Sequence, residues 1–336
     1  MTETDNPAVT TTADAGARRD RAAVVYNPIK VDLDALKRLI GAEQTAAGWP
    51  ETLWFETSED DPGQGPARDA IDAGASVIIV AGGDGTVRAV AEAVHGTDCA
   101  LALLPSGTGN LLARNLKLTL NDLELSVRSA FTGRDRKIDV LMIDIEREDT
   151  SVDRHAYLVM AGLGLDAKML ASTDDELKKK LGWLAYVKAL LVVGSDDREL
   201  HFRYRLGTKP EQSLRAHTIM ISNCGSLPGR IELVPDASLD DGVFDVVVLK
   251  PTGVWGWMQI LGKVVWENGV LSRTPVGRKF RTREVDALNY ATGTELVIRL
   301  SHPEEIELDG DGFGTAVALK TWMASGNLTV RVPNDA

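Results

Sequence analysis

The stretch SVIIVAGGDGTVRAV, Ser76 to Val90, decides the fold. Ser76 to Ala81 is an almost unbroken apolar run, the mark of a strand covered on both faces in a parallel sheet. Gly82 and Gly83 follow at once. Val87, Val90, Ala91 and Val94 then fall at i, i+3, i+4 and i+7, which predicts a helix directly after the glycines. The same order of strand, turn and helix recurs on either side. Ala22 to Tyr26 (AAVVY) runs into Asn27-Pro28, and Leu33, Leu36, Leu39 and Ile40 mark a helix beyond it. Thr52 to Thr57 (TLWFET) predicts a second strand, followed by a Pro/Gly/Gln-rich link and a short helix near Ala67 to Asp72. Ala100 to Pro105 (ALALLP) predicts a fourth strand before another glycine-rich turn. Buried strands alternating with helices predict an α/β domain with a doubly wound parallel sheet.

After about Thr132 the pattern changes. Strands are predicted at Ile138 to Ile145, Tyr157 to Met160, Leu200 to Arg205, Thr218 to Ser222, Val243 to Leu249, Leu296 to Leu300, Ile306 to Leu308 and Leu328 to Val332. Several alternate apolar with polar residues, as antiparallel strands with one wet face do. Helices are expected near Asp175 to Val193 and Gly253 to Trp266. The expected organisation is a flexible tail over 1–20, an α/β domain over 21–132 and a mainly β domain over 133–336, its C-terminal segment free to return to the first domain. A ligand cleft is expected between the two.

The 336 residues suit about two domains. Thirty-seven basic against 49 acidic residues leave a formal charge of −12, which disfavours nucleic acid as a partner and makes any phosphate or lipid contact local. Cys99 and Cys224 have no partner at zinc or redox spacing, and no two of the five histidines lie four apart. The longest apolar stretch, Gly182 to Gly194, is interrupted by Lys188 and is too short to cross a bilayer. The first residues have no apolar signal core. A soluble, cytoplasmic protein is expected.

Glycines immediately after a buried strand let the backbone approach phosphate closely, and the helix behind them directs free N–H groups at the anion. Gly82, Gly83, Asp84, Gly85 and Thr86 have that setting. Asp84 beside phosphates implies a divalent cation or its ordered waters, and Thr86 supplies a cap or a phosphate hydrogen bond. A second loop, Ser106-Gly107-Thr108-Gly109-Asn110, ends the neighbouring strand, so the two turns meet at the carboxyl edge of the sheet, with Arg114 one helical turn beyond. Asn27-Pro28 ends the first strand beside them. A Walker A pattern, a dinucleotide fingerprint and GxSxG are all missing. Pro235 to Gly242 is not an EF-hand, because Val247 stands where a bidentate Glu is needed; it reads equally as a plain Asp-Gly turn or as one carboxylate with backbone carbonyls around a hard cation. Asp309-Gly310-Asp311 reads by itself first as a hairpin turn and second as a base with its neighbour.

GGDGT at 82–86, PSGTGNLLAR at 105–114 and the late DGD at 309–311 together resemble the diacylglycerol kinase catalytic-domain family, in particular soluble bacterial lipid kinases similar to sphingosine and ceramide kinases. Val25 to Pro28, Ala161 to Ala167, Leu181 to Tyr186 and Pro235 to Asp245 extend the resemblance along most of the chain. It implies a nucleotide-binding α/β domain like that of NAD kinase and phosphofructokinase, a β-sandwich domain, and direct transfer of the γ-phosphate of ATP to a lipid hydroxyl, with diacylglycerol as the expected acceptor. Carried over, Asn27, Pro28, Thr57, Gly82 to Thr86, Gly107, Thr108 and Asn110 would contact the nucleotide. Ser238, Asp241 and Val243 would hold Mg²⁺, the first and last through carbonyls. Asp311 would accept the proton, with Asp84 and Asp309 as further catalytic-site residues. Two positions depart from the family pattern: Asp311 stands where Glu is usual, and Arg88 where Asn is common.

Trp255, Trp257, Ile260, Leu261 and Trp266 share one expected helix, and Lys263 to Arg283 carries six basic residues against Glu267 alone. This segment reads either as a core helix with a solvated loop or as a docking surface for the inner face of an anionic membrane. A homodimer is an open expectation. Alternative functions are phosphorylation of a sphingoid base or ceramide, NAD kinase activity, and non-catalytic lipid binding.

Overall fold

The computed structural model describes residues 20–107, 109–164, 199–227, 231–232, 237–250 and 288–334. The tail through residue 19, the expected helices near 175–193 and 253–266, the basic stretch 263–283 and Thr108 lie outside the described residues.

The first lobe is built as its pattern requires. β1 (Ala22–Tyr26), β2 (Leu53–Glu56), β3 (Val77–Gly82) and β4 (Ala100–Pro105) run parallel in the order β4-β3-β1-β2. Alternate residues divide between two cores, as the two-residue strand period demands. Ala22, Val24, Val77, Ile79, Ala102 and Leu104 face α1 (Leu33–Ala47) and α5 (Leu123–Thr132), packing with Leu36, Ile40, Val127 and Phe131. Ala23, Val25, Ile78, Val80, Leu101 and Leu103 face α2 (Gln64–Asp72) and α3 (Asp84–Val94), packing with Ala67, Ala70, Val90 and Val94. Asp32 and Asp122 cap α1 and α5, each carboxylate accepting a backbone N–H three residues on. The short α4 (Leu111–Asn115) follows β4.

The second lobe is mainly antiparallel. Its strands are β5 (Arg134–Glu146), β6 (Val152–Tyr157), β7 (Met160–Gly164), β8 (Leu200–Leu206), β9 (Gln212–Ala216), β10 (Thr218–Ser222), β11 (Ser226–Leu227), β12 (Ile231–Glu232), β13 (Phe244–Leu249), β14 (Leu288–Gly293), β15 (Glu295–Leu308) and β16 (Asp311–Val332). The hairpin β15–β16 organises them: β15 pairs with β7 and β8, β16 with β5, and β7, β10, β13 and β14 follow in order. The end of β16 then joins the first lobe, pairing parallel to β4 at Thr329–Ala100 and Val330–Leu101. One continuous 14-stranded sheet among the described residues therefore links both lobes.

Three expected strands are redrawn. Leu296 to Leu300 and Ile306 to Leu308 belong to one strand, β15, which passes His302-Pro303 with register shifts. The run Tyr157 to Met160 is broken between β6 and β7, because the N–H groups of Leu158, Val159 and Met160 bond to the Asp309 carboxylate. β9 and β14 carried no clear apolar signal. Asp139 on β5, 2% exposed, accepts the N–H groups of Gly242 and Gly326 at 2.7 and 2.6 Å, fastening the 237–243 turn to β16.

Candidate active site

The carboxyl ends of β1, β3 and β4 gather the two glycine turns. Asn27 accepts the N–H of Ile29 on its side chain and that of Lys30 on its carbonyl, so the chain curls back after β1. That curl brings Lys30 over the GGDGT loop: a Cβ on Gly83 would lie 2.7 Å from its Nζ. Thr86, 6% exposed, packs its side chain onto Gly82, where a Cβ would meet it at 2.6 Å. Asp84 crosses to the second loop. Its Oδ1 accepts the Leu111 N–H at 2.6 Å, and its Oδ2 occupies the space a Gly109 side chain would need. Glycine at 83 and 109 is therefore a steric requirement for this arrangement of charge.

Asn110 is bound into the same loop. Its side chain accepts from the Gly107 N–H at 3.1 Å and donates to the Gly107 carbonyl at 2.9 Å, while Arg114 Nε donates to the Gly109 carbonyl at 2.6 Å. The amide expected to meet phosphate or base is engaged in shaping the turn. Thr57, 4% exposed, closes the neighbouring strand end, its N–H bonded to the Tyr26 carbonyl; Pro28 is exposed on the β1 turn.

The hairpin between β15 and β16 delivers Asp311 to these loops from more than two hundred positions downstream. Its carboxylate, 49% exposed, leans over Gly85, where a Cβ would lie 2.5 Å from Oδ2. Arg88 Nη2 stands 3.7 Å from the same oxygen. Burial raises the Asp84 carboxyl above its ordinary range; the Asp311 charge adds to this, against the N–H groups of Leu111 and Asn110 and the charge of Lys30. Two acids flanked by two cations thus line the glycine loops.

Asp309 is not placed among them, contrary to the expectation that it shares the catalytic work. It is 5% exposed, at φ 52°, and its oxygens accept the N–H groups of Leu158, Val159 and Met160 at 2.8 to 3.0 Å. Burial pushes its carboxyl up to about 6, although those three N–H groups and the Arg88 charge favour the ionised form. Its work is to fix the β6–β7 turn under the hairpin that carries Asp311.

The expected cation turn is separate in its bonding. Ser238 Oγ donates to Asp240, which also pairs with Arg136 at 2.8 Å, and the Asp241 Oδ1 accepts the Val243 N–H. Asp241 is exposed and keeps one oxygen outside these bonds; a hard cation here would be held by that carboxylate, with carbonyls of Ser238 and Val243 as the resemblance implies. No group of three or more His, Cys, Asp or Glu side chains converges on a common point among the described residues.

The diacylglycerol kinase catalytic domain is matched over residues 21–143, and the YegS C-terminal NAD kinase beta sandwich-like domain over 159–318. The chain is 32% identical over 237 residues to a Pseudomonas fluorescens protein named "Probable lipid kinase YegS-like", covering 68% of this chain and 73% of that one. The chain belongs to the diacylglycerol kinase catalytic-domain family. As a member it is a kinase, a phosphotransferase with an alcohol acceptor. A Bacillus subtilis diacylglycerol kinase is 27% identical over 246 residues, 71% of this chain and 77% of that one. In fold, a diacylglycerol kinase from Bacillus anthracis str. Sterne superposes with a TM-score of 0.63 at 19% identity, over 93% of this chain and 96% of that one.

Within this diacylglycerol kinase family member, Lys30 joins the candidate site although its sequence setting carries no signal of it. Nothing in the run NPIKVD marks it; only the Asn27 turn brings it back across Gly83. A cavity of about 370 Å³ opens beside it between α1 and α5, lined among others by Asp32, Leu36, Leu104, Ser106 and Asn121. Among the described residues no helix is long and apolar enough to cross a membrane.

Proposed function

We propose that this kinase transfers the γ-phosphate of ATP to the hydroxyl of a membrane lipid, with diacylglycerol as acceptor and phosphatidic acid as product. The observation that carries the reading is Asp311: a half-exposed carboxylate set against Gly85 of a phosphate-type loop, reached from the far end of the chain. Phosphoryl transfer asks chiefly for positioning and charge stabilisation. Lys30 and the loop N–H groups meet the phosphates, and the cavity beside Lys30 has the size of a small-molecule site. Asp311 accepts the proton of the attacking hydroxyl as the new P–O bond forms and the bond to ADP breaks. Asp84 holds the two loops in register. Mg²⁺, when bound with the phosphates, supplies further neutralisation of charge; Ser238, Asp241 and Val243 would hold a second, structural ion. The acceptor lies in a bilayer, and the basic segment 263–283 is the proposed peripheral contact with its anionic inner face, tested by liposome flotation with Arg278, Lys279 and Arg281 changed to Glu.

The test is transfer of labelled γ-phosphate from ATP to detergent-dispersed diacylglycerol, sphingosine, ceramide and a monoacylglycerol, and to NAD, with Mg²⁺ or with EDTA. Asp311→Asn is expected to lower transfer by about 10²–10⁴-fold, the usual worth of a general base. Label on NAD, or on no acceptor at all, would overturn the reading; label on a sphingoid base alone would keep the mechanism and change the lipid.

A further inference from the structure

We propose that Arg88 is the positioning residue for Asp311, holding its short carboxylate over Gly85; this rests on the reading of Asp311 as proton acceptor. Arg88 projects from α3 and is 5% exposed. A buried guanidinium is costly unless it is well paired, yet this one is held without a complete set of hydrogen bonds. Nη1 lies 3.8 Å from Glu92 and Nη2 3.7 Å from Asp311, both beyond hydrogen-bond length. Nε and Nη1 have no hydrogen-bond partner among the described residues. The guanidinium is instead fixed from below and behind. The Phe313 ring lies 4.4 Å beneath it, and Glu92 is itself anchored by the Ala156 N–H at 2.9 Å with His155 3.6 Å away. His155 packs edge-on against Phe313 at 4.7 Å, closing a knot of α3, β6 and β16.

Asp311 is the one member of this knot that reaches well into solvent. On a hairpin tip next to Gly310, at φ 90°, a lone exposed carboxylate has several rotamers open to it. A buried cation packed on Phe313 at one side favours the rotamer that leans over the glycine loop. Reach matters in this pairing. A short acid is met by a long base. The buried guanidinium stands 3.7 Å from the Asp311 Oδ2, and side chains in such contact are expected to be energetically coupled.

A double-mutant cycle on the full chain tests this, with kcat and KM measured separately for ATP and for dioctanoylglycerol in mixed micelles. Arg88→Asn is expected to lower kcat by about 10–100-fold, the scale of a misplaced reacting group, while KM for ATP stays within about threefold. Asp311→Glu alone should also lose kcat. Combined, the two should lose at least about tenfold less than the product of their separate losses. Losses that multiply within about twofold, or an unchanged kcat in Arg88→Asn, would overturn the coupling. Should thermal melts show Arg88→Asn unfolded, Arg88→Lys replaces it in the cycle: the shorter cation is expected to be rescued by Asp311→Glu, and failure of rescue overturns the proposal. Asp311→Asn separates the two claims. Full activity in that variant removes the proton acceptor itself, whereas its loss together with multiplicative Arg88 effects removes only the positioning role.

Discussion

Asp309 turns its carboxylate inward to the N–H groups of Leu158, Val159 and Met160, while Asp311, two positions on, rests half exposed on Gly85. Environment alone separates these identical side chains, and it separates them in pH dependence too. Burial raises Asp309 to about 6, so the folded protein keeps this proton to higher pH than the unfolded chain, which releases it near 4. The stability this proton contributes is therefore present below pH 4 and is lost as pH rises through 6. The expected result is that the stability difference between wild type and Asp309→Asn falls by roughly 3 kcal/mol between pH 4 and pH 7. Urea unfolding of both proteins across that range measures it; a flat difference would mean that the three N–H groups keep Asp309 ionised throughout. The sequence showed the DGD triplet but not this division of labour, because the partners of Asp309 lie about 150 positions away.

Helix α3 shows how an element carries function at its first turn. Gly85 sits inside the helix, where alanine is ordinarily better by about 1 kcal/mol, yet a Cβ there would meet the Asp311 carboxylate. That neighbour is the end of a flexible side chain and can move aside. Gly85→Ala is accordingly expected to leave the melting temperature unchanged or raised while lowering kcat by about tenfold or more, since Asp311 is displaced from the loop. Thermal melts beside steady-state kinetics check both halves; a fall in both together would make Gly85 a folding requirement instead. The helix itself was legible from Val87, Val90, Ala91 and Val94. Its outward partners were not, because apolar periodicity reports which face is buried and carries no information on which distant hairpin tip meets the polar end.

At the scale of the whole molecule, the last strand segment joins the lobes. Leu328 and Val330 are fully buried and Val332 is 1% exposed, and this stretch pairs at once with β4 and β5. Removing three buried aliphatic side chains forfeits about 5–9 kcal/mol, comparable to the total stability of an ordinary domain. A chain ending at Asn327 is expected to lose its cooperative thermal transition and its monodisperse elution. A cooperative melt within a few degrees of wild type would show that the lobes stand independently. The site depends on this connection, since Asp311 opens the same strand that β4 receives at its far end.

What the sequence by itself determined is everything set by local period and local turn chemistry. The apolar runs of β1, β3 and β4, alternating with helical periods, read as strands covered on both faces, and the glycines after β3 and β4 as places of close backbone approach. GGDGT, GTGN and DGD were visible for the same reason. Tertiary structure decided which of those groups share a site. It turned Asp309 inward and Asp311 outward, committed Asn110 to its own loop, and brought Lys30 and Arg88 to flank the two acids. A side chain's chemistry is set by the dielectric, charge and N–H groups packed around it, and those come from segments that only folding brings together.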